Sequence, residues 1–171
     1  MSESQVRQAI QRDFPAATSW LSRRVHPREK TTVLSLAVDN LLPDAGPAQV
    51  SYILGFTSKR LVQINIVWTS DGRTRARNEG IVAAANTLRD YLLSEHYDSD
   101  ETVSNRRIAE NAILVFRAKR ENGRMVLLLL SGIAASGRTD HNGTITPLTL
   151  QLSYMRDYLH PDIFRIEQGR F

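Results

Sequence analysis

The stretch AILVFRAKRENGRMVLLLLSGIA, residues 112 to 134, restricts the fold more than any other part of the chain. Two apolar runs flank Asn122-Gly123, a pair suited to the two positive φ angles of a type I′ turn. The spacing predicts a β-hairpin with strands at 112 to 119 and 124 to 133. Its second strand is apolar without a break from Met125 to Leu130, the pattern of a central strand covered on both faces.

A second hairpin is written in simple alternation. AQVSYILGF (48 to 56) places Val50, Tyr52, Leu54 and Phe56 on one side, and RLVQINIVW (60 to 68) places Val62, Ile64, Ile66 and Trp68 against Leu61, Gln63, Asn65 and Val67. The tight TSKR connection makes the pair antiparallel, and the side carrying Gln63 and Asn65 either faces water or lines something polar. TTVLSLAVDNL (31 to 41) precedes it as a first strand stopped by the turn cluster LPDAGP. PLTLQLSYM (147 to 155) alternates as a last strand, although Thr146-Pro147 would also suit the start of a helix.

Helical period replaces alternation in two places. Val6, Ala9, Ile10 and Phe14 mark a helix over 3 to 14 that Pro15 ends, and Ile81, Ala84, Ala85, Leu88, Tyr91 and Leu92 mark a long one over about 74 to 96. The expected fold is therefore α+β: a single antiparallel sheet of about six strands, order α-βββ-α-βββ, with the long central helix packed on one face. Residues 1 to 171 are read as one domain, with the helix at 3 to 14 and the apolar tail at 158 to 171 docked on it. Three strands on either side of the helix hint at a loose pseudo-symmetry.

Composition narrows the chemistry. With no cysteine, disulfides, thiolate nucleophiles and Cys-ligated zinc are excluded. A 42% hydrophobic, 23% charged chain reads as globular and soluble, either cytoplasmic or exported with a leader removed, and no apolar run is long enough to span a membrane. The net charge of +4 does not announce a nucleic-acid binder. Of the 22 basic residues, 19 are arginine. Oligomeric state is not expressed in the pattern.

One cluster breaks a local rule. In WTSDGRTRARNEG (68 to 80), Arg73, Arg75 and Arg77 follow the N-cap candidate Asp71 where the long helix begins. The helix dipole and the unpaired N–H groups there disfavour cations, so three guanidiniums suggest a seat for a phosphate or carboxylate. On this ground the sequence favours a non-catalytic binding or accessory domain engaging an anionic small molecule or a protein partner at Asp71, Arg73, Arg75 and Arg77, with no cofactor.

Two alternatives remain. The loop SGRTDHNGT (136 to 144) gathers Arg138, Asp140 and His141, sufficient for acid–base catalysis in a small enzyme, although no Gly-x-Ser-x-Gly elbow accompanies Ser136. Arg117, Lys119, Arg120 and Arg124 crowd the hairpin tip as a basic stripe for nucleic acid, yet Phe116 is the one ring close by in sequence, so base stacking lacks partners. No pair of histidines has metal-site spacing, and no P-loop or dinucleotide fingerprint is present.

Overall fold

The computed structural model describes residues 1–70, 75–95, 97, 100–120, 122–133 and 147–165. Along the chain run α1 (Glu3–Asp13), a 3-10 helix (Pro15–Trp20), β1 (Ser22–Val25), β2 (Thr32–Val38), β3 (Ala48–Leu54) and β4 (Leu61–Thr69). Then follow α2 (Arg75–Ser94), β5 (Thr102–Ala109), β6 (Ala112–Lys119), β7 (Met125–Ser131) and β8 (Thr149–Met155). All eight strands form one antiparallel sheet in the order β1-β2-β3-β4-β8-β7-β6-β5. The fold is thus α+β with an antiparallel sheet, but of eight strands rather than the six expected.

The two strands missed by pattern are the two edges. β1 is exposed at all four positions, and β5 is exposed at six of its eight. An edge strand pairs on one side only, and arginines such as Arg24, Arg106 and Arg107 discourage further pairing, so neither strand carries the apolar alternation that marks a strand in sequence. Residues 149 to 155 resolve as strand, because their alternate leucines meet β7 and β4.

Register explains the layering, since directly paired residues share a face. Leu36, Val50, Ile66, Leu152, Leu128 and Phe116 form one row across six strands, and both helices pack on that side. The row behind it, on the helix-free face, reads Ser35, Ser51, Asn65, Ser153, Leu127 and Arg117. β7 is accordingly half-buried at Leu127 and Leu129, short of the two-sided cover its apolar run implied.

α1 begins with a capping box that joins Ser2 and Gln5, and it buries Val6 and Ile10 on β2 and β3. α2 buries Gly80, Ile81, Ala84, Ala85 and Leu92, whereas Tyr91 turns outward and is 55% exposed, against expectation. A Cβ at Gly80 would overlap the Asp44 carbonyl, so the helix start lies directly on the β2–β3 connection. At the β6–β7 turn Gly123 takes the positive φ (77°) and Asn122 does not, which replaces the expected type I′ geometry with one left-handed residue.

Candidate binding cleft

The end of the sheet that holds the β3–β4 and β6–β7 turns is closed by the segment after β8. Tyr158 N–H donates to the Gly123 carbonyl, Phe56 N–H to the Asp162 carbonyl, and Phe164 N–H to the Glu29 carbonyl, so residues 157 to 164 form a strap across three turns. The Asp162 carboxylate accepts from the N–H groups of Thr57 (2.8 Å) and Ser58 (2.9 Å). Phe164 meets Phe56 edge to face at 5.4 Å. Residues 158 to 164 of the tail thus lie against the turns of the sheet, and Ile166 and Phe171 lie outside the described residues.

Between strap and sheet lies a chamber of about 860 Å³ on the helix-free face. Ser51, Gln63 and Asn65 contribute to its floor, with Arg24 and His26 from the β1 side and Arg156 and His160 from the strap side. Gln63 donates to Asn65 (2.8 Å), and Ser35 and Ser51 share a hydrogen bond (2.9 Å). The polar side of the hairpin thus lines a hollow. Thr31, 1% exposed, borders the same chamber, and its hydroxyl has no hydrogen-bond partner among the described residues.

A second hollow, a groove of about 500 Å³, adjoins the first and shares Val62, Gln63, Met125, Met155 and Arg156 with it. Leu61, Ile64 and Val126 supply apolar wall, and Arg120, Arg124, Tyr97 and Tyr154 supply polar groups. Register places Ile64, Tyr154, Val126 and Ala118 on the helix side and Gln63, Met155 and Met125 on the other, so the groove runs round the ends of the strands. Burial raises the pKa of the Tyr97 and Tyr154 hydroxyls, which keeps both as neutral donors.

The charges of these hollows divide by role. Asp157 is held below the usual carboxylate range by the His160 N–H and, against some desolvation, the Leu159 N–H. Asp162 is likewise lowered, its Ser58 and Thr57 hydrogen bonds outweighing the cost of partial burial. These two carboxylates are committed to the strap, and the third one lining the chamber, Glu29, lies 3.7 Å from His26 Nδ1. Arg24, Arg120, Arg124 and Arg156, by contrast, make no ion pair with any described residue.

The residues singled out in sequence fare unequally. Of the helix-start cluster, Asp71 and Arg73 lie outside the described residues. Arg75 projects into solvent and pairs with Glu79 at 2.7 Å, while Arg77 is half-buried with its guanidinium against Gly46. Arg138, Asp140 and His141 also lie outside the described residues. At the hairpin tip the missing rings arrive from distant segments: Lys119 stands over Tyr158 at 5.2 Å and Arg120 over Tyr97 at 5.0 Å.

Among the described residues no group of three or more His, Asp or Glu is placed to hold a metal ion, and no helix is long and apolar enough to cross a membrane. Comparison with known protein families, with curated proteins and with solved structures finds no match for this chain.

Proposed function

We propose that the protein is a non-catalytic binding domain and that it engages an anion, carried by a small molecule or by the acidic surface of a protein partner, at the strapped end of its sheet. One observation carries this reading: of the three carboxylates lining the chamber, Asp157 and Asp162 are tied to backbone N–H groups and Glu29 stands beside His26, while the guanidiniums of Arg24, Arg120, Arg124 and Arg156 have no carboxylate partner among the described residues. A guanidinium fork matches a carboxylate or phosphate in a bidentate way that a lysine does not. The helix start with Asp71, Arg73, Arg75 and Arg77 is the competing seat for the same ligand chemistry. It is weakened by the pairing of Arg75 with Glu79.

The test is an amide-resolved NMR titration of the full chain with poly-L-glutamate at low salt. Shifts at Gln63, Met125 and Arg156 support the proposal. Shifts confined to Arg75 and Arg77 move the site to the helix start, and the absence of any shift removes the reading. Duplex DNA in the same titration addresses the nucleic-acid alternative: tighter binding than polyglutamate, with a steep salt slope, would replace a protein or small-molecule anion by a phosphate backbone. The small-enzyme alternative rests on Arg138, Asp140 and His141 and predicts turnover lost in His141→Ala.

A further inference from the structure

The walls of the groove specify more than an anion. Its volume of about 500 Å³ falls within the range of small-molecule pockets. Most of its described lining is apolar, including two methionines whose flexible thioethers adapt to varied shapes, yet three arginines and no carboxylate stand among the described lining residues. Arg120 is stacked on Tyr97, which holds its fork in place before any ligand arrives. An ion alone would leave the apolar wall unused, and a neutral hydrocarbon would leave the guanidiniums unused. The recess also wraps the strand ends, a shape suited to enclosing a chain.

Resting on the binding reading above, we infer that the groove takes a soluble single-chain anionic amphiphile of the acyl carboxylate class. The acyl chain lies along Leu61, Ile64, Val126 and Met155, and the carboxylate is held by Arg120, Arg124 and Arg156. The Tyr154 hydroxyl, at a position 36% exposed, is a further donor to the head. Longer chains pass Met125 and Met155 into the polar chamber, so affinity rises with chain length while the apolar groove is being filled and then levels off.

The experiment titrates the full chain, by the same amide-resolved NMR, with dodecanoate below its micelle concentration, with octanoate, and with dodecyltrimethylammonium. Dodecanoate is expected to saturate with shifts at residues 61 to 64 and 154 to 156. Octanoate binds more weakly by about fourfold per methylene removed. The cationic amphiphile binds about tenfold more weakly or worse, and the exposed pair Arg124→Ala with Arg156→Ala erases that preference without altering thermal unfolding. Equal affinity for the cationic and anionic chains, or no dependence on length, overturns the inference. So does binding to anionic phospholipid vesicles without saturable binding of dodecanoate, which would assign the arginines to a membrane surface. If dodecanoate fails while polyglutamate still shifts Gln63 and Arg156, the amphiphile is wrong and the binding reading stands; if both fail, both fall.

Discussion

The half of the chain from α1 to β4 and the half from α2 to β8 follow one plan, a helix and then a four-stranded meander, and they fill it differently. Strand order mirrors itself about the β4–β8 seam, where the pairing is centred on Ile66 and Leu152. The first half sets an 11-residue helix on an aliphatic cluster of Leu34, Leu36, Val50 and Leu54. The second sets a 20-residue helix with an alanine-rich face over Phe116, Leu128 and Leu150. A thin helix face brings α2 close to large side chains below it, whereas α1 reaches down with Val6 and Ile10. Leu41 and Ile66 touch both clusters, so two fillings make one continuous interior.

Truncating each filling gives the largest expected effects. Phe116→Ala should destabilise by about 3–5 kcal/mol and Val50→Ala by less, because the aromatic leaves the larger cavity. Urea unfolding followed by tryptophan fluorescence and by circular dichroism should show one shared transition for each variant. Separate transitions would mean that the halves melt independently and that the bridge through Ile66 does not couple them.

The helices offer a sharper contrast of intermediate size. Exchanging glycine for alanine inside a helix normally gains about 1 kcal/mol. At Gly80 the new methyl would overlap the Asp44 carbonyl, a backbone group with little room to move. Gly80→Ala should therefore destabilise by about 1–3 kcal/mol, read as a lowered Tm. A rise in Tm would show that α2 is free to lift off the β2–β3 connection.

The smallest effect concerns the strap that links the second half to the first. Because the folded pKa of Asp162 is depressed, its contribution is complete above the ordinary carboxylate pKa of about 3.9 and is lost as pH falls through the lower folded value. Amide exchange at Thr57 and Ser58 should quicken over that acid range relative to strand amides in β3, and Asp162→Asn should bring part of that loosening to neutral pH. Protection that stays constant on acidification would locate the anchor elsewhere, at the Phe56–Phe164 contact.

Where burial follows a simple period, the fold was legible. β2, β3, β4, β6, β7 and β8 and both helices were read from apolar runs, alternation or helical spacing in the sequence, and their bounds agree with that reading to within a few residues. β1 and β5 were hidden because an edge needs charge more than apolar surface. The cleft was mostly illegible for another reason: its parts come from β1, β3, β4, β7 and the strap, and no local window contains them together. Its traces were the polar side of Gln63 and Asn65, and the basic tip with Arg120 and Arg124. Arg156 gave no signal at all, since only the pairing of β8 with β4 and β7 brings it to the place where the two hollows meet.

That pairing has a consequence for how the protein is made. β4 must wait for β8, which among the described elements is separated from it in the chain by α2, β5, β6 and β7, so during synthesis one flank of the first meander stays open along Gln63 to Thr69. Such an unzipped margin invites neighbouring nascent chains to add strands of their own. Slow translation of the later segments should raise the demand for chaperones, and a frameshift that removes β8 should yield aggregate rather than a smaller folded protein.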